Sequence, residues 1–342
     1  MSKASNKIIN LALQGGGAHG ALAWGILDKL LEDGRLTFDS ISATSAGAMN
    51  AAVFAEGFIT GGNEGARAAL AKFWKMVSEA GDLYSPIKLS PWEAFFNIKI
   101  DHTTAYGFFD LLSKMYAPSQ LNPFNLNPLR DIIEKNVDFE RIQSAKKLKL
   151  FISATNVKTG KIHVFDNKNI SIDAIMASAC LPTLFQTVKI NDDYFWDGGY
   201  MGNPAIFPLI YNSDYRDILV IHMNPIYRDI IPESMADILN RINEISFNSS
   251  LMREMRAIAF VTKMLDKGWI KDEFKNNIHR YYMHAIRADI AMASFSVASK
   301  LDVRWGFIRR LFEEGRLEAG AWLKNNFQHV GKKTSIDMTE YL

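Results

Sequence analysis

At 342 residues the chain is long enough for one large domain, or for one domain with an extension. A hydrophobic fraction of 48% against 22% charged residues supports a sizeable core, and a formal net charge of +2 excludes a basic nucleic-acid footprint spread over the whole chain. The single cysteine, Cys180, excludes an intramolecular disulfide, and its apolar neighbours mark it as a buried core residue rather than a reactive thiol.

In chain order, Ile8 to Leu13 has the near-continuous apolar character of a buried parallel strand. It ends at Gln14 and three glycines, with no small-residue cleavage site, so it reads as a strand and not as a signal peptide. No window reaches the uncharged apolar length of a transmembrane helix. A cytoplasmic location is the expectation, with signal-less export left open. Leu22, Ile26 and Leu30, with Trp24, Leu27 and Leu31, give helical spacing over Ala21 to Leu31, and Gly34 can end that helix. Ile41 to Thr44 is a second strand. Ala46 to Ala55 is a second helix, rich in small residues and closing near Gly57. This βαβα order predicts an α/β fold with a mostly parallel central sheet flanked by helices.

Residues 82–128 break the pattern. Tyr84, Trp92, Phe95, Phe96, Tyr106, Phe108, Phe109, Tyr116 and Phe124 crowd among Pro86, Pro91, Pro118, Pro123 and Pro128. This predicts an insertion of short helices that walls an apolar pocket, touches lipid, or simply packs onto the domain. Strands follow at Lys149 to Thr155 and Lys161 to Phe165, joined by the turn-rich Asn156 to Gly160. A small-residue helix, Ile172 to Ala179, stops at Pro182. Tyr194 to Trp196 is an aromatic strand-like run, and Ile218 to Met223 a further buried strand. From Pro232 to Leu265 helical apolar spacing is interleaved with Arg253, Glu254, Arg256 and Lys263, which predicts one amphipathic helix or a pair. Val303 to Asn325 is another helical segment. The chain thus divides into residues 6–225 and a mainly helical C-terminal extension, 226–342. The helices of that extension pack on the domain, join copies of the chain, or meet a partner or lipid surface.

The chemistry is concentrated at three places. Ala43-Thr-Ser45-Ala-Gly47 approximates the nucleophile elbow, in which a strand turns sharply into a helix and leaves a serine hydroxyl clear of the backbone. Ser45 on its own is equally a plain helix N-cap; its position just after a strand and a glycine turn raises the nucleophile reading. Gly15, Gly16 and Gly17 offer backbone N–H groups for a developing oxyanion, as does Ala46 after the serine. Gly15-x-Gly17-x-x-Gly20 also fits a dinucleotide fingerprint, which would make the protein an oxidoreductase. That reading wants an acid at the end of the second strand. The acid here, Asp39, is placed at that strand's start, and the fingerprint explains neither Ser45 nor Asp197. Asp197-Gly198-Gly199 follows the aromatic run; alone it is an ordinary turn, but it can hold a carboxylate at a strand end. No Cys/His cluster has zinc spacing, so no metal is expected.

These pieces, in this order, resemble the patatin-like phospholipases, serine acyl hydrolases that use a Ser-Asp dyad. The matched segments are Gly15-Gly-Gly-Ala-His-Gly20, Thr44-Ser45-Ala46-Gly47 and Asp197-Gly198-Gly199. Ala177-Ser178 with Leu181-Pro182, and Asn203-Pro204, fit as well, so the resemblance covers about residues 8 to 225. It implies Ser45 as nucleophile, Asp197 as base, an oxyanion hole at Gly15, Gly16, Gly17 and Ala46, and supporting roles for His19, Gly20, Gly47, Gly198 and Gly199. It implies no cofactor, and lipid or other carboxylic esters as substrates. An intracellular polyester is the related alternative, and a catalytically silent binding protein of the same fold the remaining one. His19 stands where many members have Arg or Lys, and an ordinary histidine supplies positive charge only in part at neutral pH. A triad instead of a dyad would need His222, His279, His284 or His329, of which His222 lies at the end of a predicted strand.

Overall fold

β1 (Lys7–Leu13) is buried from Ile9 onward, as its apolar sequence requires of a strand covered on both faces. The structure is a computed structural model, and it describes residues 6–84, 111–113, 115–229, 231–274 and 277–342. Most of the aromatic insertion expected at 82–128 therefore lies outside the described residues.

β1 pairs in parallel with β2 (Leu36–Ala43) on one side. On its other side it pairs in parallel with β7 (Asp217–Ile221). Beyond β2 lies β3 (Lys149–Asn156), also parallel. β4 (Ile162–Phe165) and β6 (Asp193–Asp197) join β3 antiparallel, and β5 (Val188–Ile190) closes that edge on β6. The opposite edge is β8 (Tyr282–Ile286), parallel to β7. The order β5-β6-β3-β2-β1-β7-β8 puts a change of winding direction between β1 and β7. In such sheets the crevice beyond the strand C-termini at that point is the natural place for a ligand.

Alternation along β1 separates two cores. Ile9, Leu11 and Leu13 face the larger one with α1 (Gly20–Asp33), α2 (Ala46–Tyr84) and α5 (Trp305–Asn325). Ala12, with Ile218, Val220 and Met283, faces the smaller core, which Leu251, Met255 and Ile258 of α4 (Met235–Asp266) close from the other side. The region after residue 225 is thus helical, and it also adds an edge strand to the same sheet. β8 escapes a pattern reading because it is short and carries His284 at its centre.

Two elements run longer than their sequence signals. β2 begins at Leu36, because Leu36 and Phe38 are buried while Thr37 and Asp39 are half-exposed, an alternation that precedes the fully buried stretch. Asp39 consequently lies within the strand and not at its start, where it accepts from Ser40 and Ser213 hydroxyls. α2 does not close near Gly57; it continues to Gly61 and Gly62, where helical geometry fails (Gly62 φ 61°), and resumes to Tyr84. Gly34 ends α1 in the left-handed conformation (φ 71°), with its N–H on the Leu30 carbonyl. Among the described residues no helix is long and apolar enough to cross a membrane.

α1 and α5 pack backbone to backbone. A Cβ on Gly25 would collide with the Phe312 carbonyl, and one on Gly315 with the Leu22 carbonyl. Trp24 and Phe312 fill the flank, their rings 4.0 Å apart. Asp28, at the same seam, is held by Arg67 and Arg316. Gly315→Val is expected to lower stability by about 2 kcal/mol or more through overpacking, read as a fall in the denaturation midpoint at constant slope. Gly320→Val, where little lies within reach of an added side chain, is the control.

Candidate active site

The C-terminal ends of β1 and β2 lie side by side, so the glycine turn and Ser45 are brought together by strand pairing. Thr44 N–H reaches the Leu13 carbonyl, and Thr44 Oγ1 donates to the Gly202 carbonyl at 2.6 Å. The chain then reverses at Ser45, which adopts φ 56°, a left-handed conformation that costs a non-glycine residue roughly 1–2 kcal/mol. α2 starts at the next residue, so the positive end of a helix faces the serine. The turn is locked from both sides. Gly47 N–H donates to the Thr44 carbonyl, and Ser45 N–H donates to Ser178 Oγ at 2.9 Å, from the end of α3 (Ile172–Ser178). A Cβ at Gly47 would lie 2.5 Å from the Leu13 carbonyl, so Ala43 is the only elbow position where glycine is dispensable.

The glycine turn presses on the serine. A Cβ at Gly15 would lie 2.6 Å from Ser45 Cβ. Gly17 takes φ 58°, and a side chain there would run into the Lys300 backbone. The turn is held by a buried polar cluster. Gly15 N–H donates to Asn203 Oδ1 at 2.6 Å, and the Gly15 carbonyl accepts from Asn224 Nδ2 at 3.0 Å. Gln14 accepts the Met223 and Asn224 N–H groups on Oε1, and its Nε2 donates to Asn248 Oδ1 and the Asn203 carbonyl. The Gly15 N–H is thereby committed to Asn203. Gly16 N-caps a short 3-10 turn that opens at Gly17, and Ala46 opens α2, positions whose N–H groups lack an intrahelical acceptor.

Asp197 ends β6 with no solvent exposure. Its N–H donates to the Cys180 carbonyl and its carbonyl accepts from Thr155 Oγ1. Oδ1 accepts from Gly199 N–H at 2.7 Å, which is possible because Gly198 and Gly199 turn the chain back under the carboxylate. Oδ2 makes no hydrogen bond of normal geometry in the resting structure. Burial pushes the carboxyl up to about 6, against the pull of the Gly199 N–H, the adjacent Ser45 hydroxyl and the Lys300 ammonium. Ser45, 8% exposed, and Asp197 are thus neighbours with one carboxylate oxygen uncommitted.

His19 does not carry charge here. It is buried, its pKa falls to about 3 because of burial and the nearby Lys300, and its Nε2 meets Ser299 Oγ at 2.8 Å. Ser299 Oγ itself donates to the Ser296 carbonyl, so His19 is the donor in that pair. Gly20 leaves room for Ala46 and Trp74 where α1 and α2 start side by side. Three of the four histidines considered for a triad are engaged elsewhere. His222 meets Tyr341 OH, His284 lies between Asp217 and Ser335, and His279 is beside Arg216. Cys180 is buried and its thiol is pushed up to about 12 by burial, which keeps it unreactive. Gln14, Asn224 and Lys300 join the site without a motif to announce them; a polar residue closing an otherwise apolar strand, as Gln14 does, is the one available signal.

A mostly parallel sheet with a glycine turn after β1, beside the switch point, and a serine on the strand-to-helix turn after β2 defines an α/β protein with a serine-elbow geometry. The chain belongs to the patatin-like phospholipase family, whose model matches residues 11–210. Similar solved structures include VipD from Legionella pneumophila, at 15% identity and a TM-score of 0.36 over 91% of this chain and 67% of that one. The type III effector ExoU is similar at 14% identity and a TM-score of 0.36, over 94% of this chain and 53% of that one. A full-length ExoU in complex with full-length SpcU, from the type III secretion system of Pseudomonas aeruginosa, gives 12% and 0.29, over 92% and 53%. This chain therefore spans about half the length of those two ExoU chains. No curated protein sequence gives a significant match.

Ser178 anchors the elbow through the Ser45 N–H. Ser178→Ala removes that acceptor from a buried donor and is expected to lower kcat roughly 10-fold with little change in KM, measured on a soluble aryl ester.

Proposed function

We propose that the protein is a serine acyl hydrolase that cleaves carboxylic esters of lipids through Ser45 and Asp197. The observation that carries this reading is a left-handed serine at a helix N-terminus beside a fully buried aspartate whose anion the serine hydroxyl favours. In the proposed reaction Asp197 Oδ2 takes the Ser45 proton as Oγ bonds to the ester carbonyl carbon. The carbonyl oxygen becomes an oxyanion held by N–H groups from Gly16, Gly17 and Ala46, with the start of α2 adding its dipole. Collapse breaks the ester C–O bond, and the leaving alcohol takes the proton from Asp197. Water then attacks the acyl-enzyme with Asp197 again as base, regenerating Ser45. Gly15 acts here by closeness and not by donation, because its N–H is held by Asn203.

Membership in the family supports a lipid ester as substrate. So does the surface near the site: Met235, Ile238, Leu239, Ile242 and Ile245 expose apolar side chains along the first half of α4. Phe247 of the same helix packs against Gly199, beside Asp197.

Hydrolysis of a short-chain aryl ester and of phospholipid vesicles tests the proposal with Ser45→Ala and Asp197→Asn. Each variant is expected to lose activity by about 10³-fold or more while remaining folded. Because Asp197 works as a base only when ionised, and burial raises its pKa, wild-type kcat/KM should rise with pH through about 6 and not through the ordinary carboxylate range near 4. Substantial activity in either variant would overturn the dyad.

A further inference from the structure

Lys300, just past residue 299 in the region beyond β8, contacts the glycine turn at two points. Its backbone carbonyl packs against Gly17 so closely that no side chain fits there. Its Nζ donates to Asn224 Oδ1 at 2.9 Å, and the other end of that amide donates to the Gly15 carbonyl. Nζ also donates to Asn243 Oδ1 at 2.9 Å and lies 5.4 Å from the centre of the Phe247 ring. Phe247 in turn abuts Gly199, whose N–H holds Asp197. An ammonium group placed among neutral amides and an aromatic face, with no carboxylate bonded to it among the described residues, is an expensive arrangement unless its charge is used.

We propose that Lys300 is a positioning residue for the Ser45–Asp197 dyad, its ammonium fixing the glycine turn through Asn224 and supplying positive charge to the oxyanion and to ionised Asp197. The assignment rests on the dyad reading above. The charged and titratable groups facing it are few. Glu244 of α4 is already bound by Arg228 and Arg241; Arg228 itself comes from the segment before α4, Asp197 from β6, and His19 from the turn after β1. His19 is neutral, so it contributes no competing charge. Burial brings the Lys300 ammonium down to about 8, with Glu244 and Asp197 resisting the fall and Arg228 adding to it. Lys300 in turn lowers the Asp197 pKa.

The signs follow directly. Activity that needs Asp197 ionised and Lys300 charged rises through about pH 6 and falls as pH passes about 8. Removing the charge at residue 300 leaves Asp197 with less stabilisation of its anion, so the acid limb moves to higher pH.

The test is the rate at which a fluorophosphonate probe labels the intact protein, followed by mass across pH for wild type, Lys300→Gln, Lys300→Arg and Ser45→Ala. Lys300→Gln should react roughly 10-fold more slowly, with its acid limb raised by about half a pH unit and no alkaline fall. Lys300→Arg, whose guanidinium stays charged, should keep the acid limb of wild type and lose the alkaline fall. A simple packing role would slow both variants without moving either limb, and that result would overturn the assignment. Should neither variant fold, the wild type decides: a rate flat above pH about 8 overturns it, and a fall there supports it. Ser45→Ala separates the two readings. Labelling of that variant at the wild-type rate defeats the dyad itself, whereas an unlabelled Ser45→Ala with unshifted Lys300 variants defeats only the role of Lys300.

Discussion

The contact between Gly15 and Ser45 sets the geometry of the whole site. β1 and β2 run side by side, paired again beyond a register shift after Ile9, so their ends meet and both turn in the space between α1 and α2. Ser45 turns in a left-handed conformation and Gly15 yields the room for it. Neither condition is satisfied locally. The strain at Ser45 is held by Ser178, by the Thr44 bond to Gly202, and by the packing of α2 behind it. Gly15 is fixed by Asn203 on its N–H and Asn224 on its carbonyl. The anchors come from three separate stretches of chain, at Ser178, at Gly202 and Asn203, and at Asn224, so distant segments converge on one turn.

The electrostatics follow from the same crowding. A carboxylate with no solvent exposure can remain useful as a base only if its ionised form is favoured somewhat, but not fully. Gly199 donates to one oxygen of Asp197, and the Ser45 hydroxyl lies beside the carboxylate and favours its anion. Burial raises the pKa and the Gly199 N–H draws it part of the way back, which leaves the group able to ionise near neutral pH. Glu254 shows the contrast outside the site. It too is buried and raised, to about 7, yet both the Ile206 and Phe207 N–H groups converge on its Oε2, and it serves as a turn anchor.

The α/β layering was legible because β1 and α1 each carry one clear period, and Gly34 stops α1 where the spacing stops. The family resemblance rested on Gly15 to Gly20, Ser45 and Asp197, and the family match covers those positions. Other features were out of reach for physical reasons. The start of β2 alternates because only one face is covered there, and it looks polar when read as a run. Gly57 resembles a helix stop, but the true break needs two glycines in succession at Gly61 and Gly62. His19 promised a titrating group and became a neutral donor, since nothing in sequence reveals burial or a Ser299 partner. Asn224 and Lys300 act through contacts that span most of the chain, and no local spacing encodes them.

The position of β1 bears on how the molecule comes into being. This strand holds residues 7–13, yet one of its two neighbours is β7, at residues 217–221, and α1 behind it is covered by α5, at 305–325. Contacts so distant in sequence form slowly, and a chain emerging from the ribosome cannot make them early. The serine leaves the exit tunnel long before the aspartate, and the anchors of the glycine turn appear later still. In a nascent chain Ser45 therefore stands without Asp197, and the glycine turn without its anchors, until nearly all of the sheet has been translated.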